Sequence, residues 1–230
     1  MYNIKMLRGT IFCPQIKYTK EFVIELNKFL GDYMPVLIVP EGNFLPVSSM
    51  WKMVSSDEQN VLLFGGEKVD IIRKVYSSVN QTVIVDFTEY CKLVFEKILQ
   101  LSGYTSLRLA LAPTILITEN GERPNSLYDR LFSLREFQHS SPEISNVSQV
   151  FRVNKSICGH EVKVNHVANF HLENELVVIN GVNQIKEYYL CDFDINTMAN
   201  CGYKFDINSM KEFFDIAVTS FDDFYNLYFA

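Results

Sequence analysis

Residues 106–118 read SLRLALAPTILIT, a run in which Arg108 is the single charged side chain. A short apolar run bounded by polar residues predicts a buried strand. Because an isolated charge in such a strand must face solvent or meet a carboxylate, we expect Arg108 to pair with an acidic residue of the second half of the chain. Binding of an anionic ligand by Arg108 is the alternative.

The sequence before this run predicts the order strand, helix, strands, helix. A helix is predicted over 87–102, where apolar residues recur every three or four positions after a capping-box-like pair, Asp86 and Glu89. Gly103 suits the left-handed residue that ends many helices. The same patterns predict a further helix at 19–33 that stops near Gly31, and strands at 3–13, 35–39, 51–54, 61–64 and 69–75.

The sequence after the run predicts an antiparallel meander closed by a helix. Residues 119–122 (ENGE) favour a turn, and the charge balance changes there, so we divide the chain into halves at 1–120 and 121–230. The predicted fold class is α+β, with two packed halves, each a mainly antiparallel sheet covered by helices on one face. The second half is predicted to hold a short helix near 125–135, strands at 147–156, 160–172, 175–180 and 185–195, and a closing helix from about 209 capped by Ser209 and Glu212.

Composition and charge exclude several classes of protein. The 230 residues are 48% hydrophobic and 21% charged, which is the composition of a globular protein. The net charge is −6, and the acidity lies in the second half: residues 1–118 hold 12 Lys and Arg against 11 Asp and Glu, and residues 119–230 hold 9 against 16. This balance argues against binding of duplex nucleic acid through a broad basic face.

The spacing of the cysteines and the absence of long apolar runs predict the cellular compartment of the protein. The five cysteines are widely spaced and lie in apolar runs, which predicts buried, reduced thiols. The first residues lack the features of a signal peptide, and no uncharged apolar run reaches the length of a membrane helix. We therefore expect a cytoplasmic protein that is neither secreted nor embedded in a membrane.

Glu143, Glu161 and Lys163 form the sharpest enzymatic pattern. A strand places Glu161 and Lys163 on the same face. Two carboxylates that hold Mg²⁺, with a lysine that orients the attacking water, are typical of magnesium nucleases. A metal-dependent hydrolase with Mg²⁺ as cofactor is therefore one alternative. A solvent-facing strand explains Glu161 and Lys163 without any metal, and Glu143 lies in a loop-like run at a position where aspartate is usual in such sites.

Asp192 and Asp194 are the second candidate pair. They flank Phe193 in a predicted strand, so the two carboxylates share one face. Such a pair can bind a divalent ion or act in acid/base chemistry. A solvated strand end is the competing interpretation.

The C-terminal region is rich in aromatic residues, with nine Phe and Tyr between positions 203 and 229. One helix usually buries fewer rings, so we expect part of the set to contact a protein partner or a second copy of the chain. Packing on the meander is the alternative. The candidate partner-binding residues are Phe213, Phe221, Phe224, Tyr225 and Tyr228.

The order of these landmarks resembles a sporadically distributed, uncharacterised family of bacterial proteins. The resemblance implies a two-part α+β fold and an accessory or defence-associated role, and it supplies no activity. One departure is the apolar run after Arg108, where such proteins more often carry polar residues. The matching pieces are the strands of Trp51, Val61–Phe64 and Val69–Ile72, the helix of Phe87, the strands of Arg108 and Tyr188–Ile195, and the closing helix with Phe213, Phe214 and Phe221.

Together these features favour a non-catalytic binding or accessory subunit without a cofactor, which contacts a protein partner or forms a homo-oligomer. The metal-dependent hydrolase is one competitor. The other is a sensor of a nucleotide or another small anionic ligand, with Arg108 gripping the anion between the two halves.

Overall fold

The computed structural model describes residues 2–38, 50–75, 82–117, 146–179 and 182–229. These residues form nine strands and three helices, which confirms the predicted mixture of helix and antiparallel strand. The strands are β1 (Tyr2–Phe12), β2 (Tyr33–Ile38), β3 (Met50–Ser55), β4 (Asn60–Phe64), β5 (Lys68–Lys74), β6 (Arg108–Ile117), β7 (Asn146–Ile157), β8 (His160–Ile179) and β9 (Val182–Thr197), and the helices are α1 (Lys20–Leu30), α2 (Thr82–Ser102) and α3 (Ile207–Phe229).

All nine strands belong to one sheet, in the order β2-β3-β4-β5-β1-β6-β9-β8-β7, and every neighbouring pair is antiparallel. Two separate sheets were predicted, and the described residues do not form them. The reason is that β6 pairs on both sides: Leu111 lies opposite Gly9 of β1 and opposite Ile195 of β9. The predicted boundary at 120 and the short helix near 125–135 lie outside the described residues.

Most of the predicted elements of the first half are confirmed, and α2 is longer than predicted. Gly31 follows α1 with φ +75°, as expected of a residue that ends a helix. Helix α2 begins at Thr82, so Asp86 and Glu89 lie inside the helix and do not cap it. Ile84, in the added turn, is completely buried, and this packing explains why the helix extends beyond the predicted start.

In the second half, β8 is one continuous strand. The turn predicted at 173–174 is wrong, because both residues lie within the ladder, opposite Tyr188 and Glu187. The turn at Cys158-Gly159 is confirmed, with φ +47° and +77°.

The cap of α3 differs from the predicted one. Asp206 caps the helix: its Oδ1 accepts hydrogen bonds from the backbone N–H of Ser209 at 2.9 Å and from the Ser209 hydroxyl at 2.7 Å. Glu212 instead accepts from the backbone N–H of Cys158 at 2.7 Å, and this bond ties the β7–β8 turn to the first turns of α3. The predicted cap of Ser209 and Glu212 is therefore wrong.

The helices cover one face of the sheet. Strand register places the side chains of Leu111 and Phe193 on the same face as Gly9. Gly9 lies against Cys91 of α2, and the Phe193 ring lies 5.5 Å from the ring of Phe221 in α3. The opposite face of the sheet carries no helix in the part of the chain that the structure describes, and we call it the helix-free face.

Helices α2 and α3 are joined by both apolar and charged contacts. The rings of Phe95 and Phe214 stack at 5.7 Å. Lys92 is largely buried and pairs with Glu89 at 2.6 Å and with Asp215 of α3. The two helices therefore cover the junction between β1, β6 and β9 as a connected layer.

We expect Gly9→Ala to destabilise the protein by about 1–3 kcal/mol, because overpacking a dense core has costs of this size. A Cβ atom at position 9 would lie 2.6 Å from the Sγ atom of Cys91. Urea unfolding measures the change. In a Cys91→Ala background the same substitution should cost much less. An equal cost in both backgrounds would show that the approach of α2 does not require this glycine.

Candidate functional site

The described polar candidates of the sequence lie on one face of the sheet, the helix-free face, but they do not converge: Asp192 lies opposite Asn169, eight residues along β8 from Glu161. Leu109, Val162 and Phe193 are buried, and side chains alternate along a strand. Their neighbours therefore point away from the helices: Arg108, Glu161, Lys163, Asp192 and Asp194.

Arg108 links the two halves, but its partners are neutral. Its Nε donates to the carbonyl oxygen of Thr197 at 3.1 Å, and its Nη2 donates to Oδ1 of Asn196 at 2.8 Å. The guanidinium also lies 5.0 Å from the centre of the Phe12 ring. Arg108 does contact the second half of the chain, as predicted, but the predicted carboxylate partner is not found among the described residues. Anion binding by Arg108 stays a prediction.

Asp192 and Asp194 share a face, as predicted, and both are partly exposed. Asp192 has protein partners: its Oδ1 accepts a 2.6 Å hydrogen bond from the Thr114 hydroxyl, and its Oδ2 lies 3.8 Å from Nδ1 of His171. Among the described residues no group of three His, Cys, Asp or Glu side chains is arranged to hold a metal ion. The proposed Mg²⁺ site at this pair stays a prediction.

Glu161 and Lys163 are exposed on the same face of β8, as their spacing predicts. Glu161 accepts a 3.0 Å hydrogen bond from the side-chain amide of Asn154 on β7. Glu143, the third member of the nuclease pattern, lies outside the described residues.

Most of the described aromatic side chains of α3 lie in the core. Phe224 lies 4.9 Å from the Phe193 ring, and the Tyr228 hydroxyl donates to Oε1 of Gln149 at 2.6 Å. Tyr225 is partly exposed. The interpretation of this set as partner-binding is therefore not supported, because its other four members are at most 7% exposed: Phe213, Phe221, Phe224 and Tyr228.

The outer edge of β7 was not predicted from the sequence. Strand β7 is twelve residues long and, among the described strands, pairs only with β8. Three of its apolar side chains are exposed: Val150 by 53%, Phe151 by 42% and Val153 by 41%. These apolar residues were visible in the sequence, but only the strand order places them at an edge. We call the outer side of Asn146–Ile157 the β7 edge.

The other edge strand, β2, differs in two ways that protect it from added strands. It has six residues, and one of them is Pro35, which cannot donate a backbone hydrogen bond. Short length and proline are devices that natural sheets use to prevent pairing at an edge. The β7 edge has neither device, although its Arg152 and Lys155 are charged residues of the kind that also discourage pairing. Strand β2 exposes apolar side chains as well, so length and the absence of proline are what make β7 the better suited of the two described edges for an added strand.

No protein-family model matches the chain, and no curated protein matches it. No helix among the described residues is long and apolar enough to cross a membrane. The function must therefore be inferred from the geometry of the chain itself.

We expect the stability of the protein to fall in acid through His166. Its ring is 6% exposed and lies 5.8 Å from the ring of Phe224. Burial lowers the pKa of His166, and the nearby Lys155 lowers this pKa further, against a smaller opposing effect of Asp223. The unfolded chain therefore binds the proton more readily, and the free energy of unfolding decreases as the pH falls below about 6.5.

Urea unfolding across this pH range compares the wild type with His166→Phe, which keeps an aromatic ring against Phe224. The wild type should lose more stability in acid than the variant. Equal losses in the two proteins would show that His166 does not bind its proton more weakly in the folded state.

Proposed function

We propose that the protein is a non-catalytic, protein-binding subunit whose partner docks at the β7 edge. The observation that supports this most directly is a long edge strand with exposed Val150, Phe151 and Val153. A free strand edge presents a row of unpaired backbone N–H and C=O groups, which form a template for another chain. Sheet proteins normally protect such edges. Among the described residues no strand pairs with the outer side of β7, and such an edge is typical of an interaction site.

Contacts between β7 and α3 hold the strand in one position. Phe151 packs at 5.7 Å against the ring of Phe224 in α3, and Tyr228 binds Gln149 through its hydroxyl. Glu212 holds the turn that follows β7. A strand fixed in this way loses little conformational entropy when a partner binds, and such preorganisation increases affinity.

We place this subunit in the cytoplasm, because all five cysteines are free thiols. Three of them are buried, but Cys158 is exposed and Cys201 is partly exposed, so the prediction of five buried thiols is wrong for these two. Burial raises the pKa of Cys13 to about 11, which keeps that thiol protonated and unreactive at neutral pH. An accessory role in a bacterial system is the part of the proposal that rests on the sequence resemblance alone.

A tagged pull-down from the native host tests the proposal with two matched variants. Val150→Asp places a charge on the β7 edge, and Val36→Asp places the same charge on β2; the two valines are 53% and 42% exposed. The wild type and Val36→Asp should retain the same stoichiometric protein partner, and Val150→Asp should lose it.

Thermal unfolding of both variants confirms that each remains folded under the conditions of the pull-down. The proposal is contradicted if the wild type recovers no stoichiometric protein, or if the two variants lose the partner to the same extent.

A further inference from the structure

We infer that the β7 edge accepts an extended acidic segment of the partner as a tenth strand of the sheet. This inference rests on the proposed function and specifies the chemistry of the partner at the same site. It depends on two properties of β7: the charge of the strand, and the faces on which its charged residues lie.

The β7 edge is basic although the chain as a whole is acidic. Between Asn146 and Ile157 there are two cationic residues, Arg152 and Lys155, and no Asp or Glu, whereas the net charge of the chain is −6. Arg152 is exposed and Lys155 is partly exposed. Among the described residues neither of them forms an ion pair. Both cations can therefore form ion pairs with carboxylates of a bound partner.

The two cations lie on opposite faces of the sheet. Phe151 contacts α3, so Lys155, four residues later, points to the helix-covered face. Arg152, next to Phe151, points to the helix-free face. In an added strand, the residues opposite Arg152 and Lys155 are three positions apart and also point to opposite faces. The matching segment therefore carries two acidic residues three positions apart.

The apolar residues of the edge define the remaining positions of the segment. Val150, Phe151 and Val153 flank Arg152 on both sides, and cross-strand neighbours on one face contact each other. If the added strand runs antiparallel to β7, its first residue lies opposite Lys155 and its sixth opposite Val150. From the N-terminus, the sequence that fits is acidic, any residue, apolar, acidic, apolar, apolar. Backbone hydrogen bonds would supply much of the affinity, and these side chains would supply the specificity.

A second copy of this chain fits the edge less well. Pairing of two β7 edges brings the Arg152 and Lys155 residues of both copies into one interface, with no acidic residue from either strand. Like charges that meet across paired strands are destabilising. An acidic segment of a different protein removes this repulsion and neutralises both cations.

The probe for this inference is a synthetic peptide, Glu-Thr-Val-Glu-Val-Val, flanked by threonines. Its control is the peptide with lysine in place of both glutamates. Binding is followed by NMR on the full isotope-labelled chain. The acidic peptide should shift β7 amide signals and protect outward-facing β7 amides from hydrogen exchange, and the lysine peptide should do neither.

Charge reversal provides the matched protein variants. Arg152→Glu with Lys155→Glu should weaken binding of the acidic peptide by about tenfold or more. Lys17→Glu with Lys20→Glu makes the same change in net charge at two exposed residues before and at the start of α1, and should leave binding unchanged. Equal binding of both peptides, shifts confined to another surface, or a concentration-dependent dimer that buries β7 would each overturn the inference.

The pull-down separates this inference from the proposed function. If the wild type retains a stoichiometric partner that Arg152→Glu with Lys155→Glu also retains, the acidic-strand inference fails and the binding function stands. If no partner is recovered from the host by any variant, the proposed function fails, and the inference fails with it.

Discussion

The pairing of β6 on both of its edges is the constraint on which the rest of the structure depends. Strand β6 hydrogen-bonds to β1 from Arg108 to Ile117 and to β9 over much of the same length. It therefore fuses strands from both ends of the chain into one sheet. Leu111 and Ile115, on the helix-covered side of β6, are completely buried. The helix layer can be continuous only because the sheet beneath it is continuous.

Two further contacts reinforce this junction. Just before β6, Ser106 forms an isolated antiparallel bridge with Phe205, which precedes α3. Its hydroxyl also donates to the carbonyl oxygen of Arg108 at 2.7 Å. Arg108 then binds Asn196 and Thr197 at the end of β9. The start of β6, the end of β9 and the approach to α3 are thus held at one place, and this fixes how α3 lies over the second half of the sheet.

The sequence predicted correctly those elements that depend on residues close to each other in the chain. The strand of residues 106–118, the end of α1 at Gly31 and the turn at Cys158-Gly159 depend on short-range chemistry, and all three are confirmed. The predictions were wrong where contacts between distant parts of the chain determine how far a helix or strand extends. Burial of Ile84 extends α2, and pairing with β9 carries β8 through Glu173 and Asn174, although asparagine often forms turns. Sheet continuity could not be predicted, because the partner of a strand edge is a long-range property.

The candidate site was also predicted correctly only where local patterns determine it. Alternation along strands correctly placed Asp192 beside Asp194 and Glu161 beside Lys163. The excess of aromatic residues suggested an exposed surface on α3, but a broad sheet offers enough area to bury most of those rings. The β7 edge escaped detection because a strand becomes an edge only through the order of all nine strands.

Native-state hydrogen exchange of the wild type and of Leu111→Ala tests the role of β6 most directly. Leu111 faces the helices between β1 and β9, and its truncation leaves a cavity in the core. If β6 makes the sheet one cooperative unit, the slowest amides of β1 and β9 will lose the same amount of exchange free energy in the variant. A loss confined to β1, with the β9 amides unchanged, would show that the two parts of the sheet unfold independently and that β6 does not make them one cooperative unit.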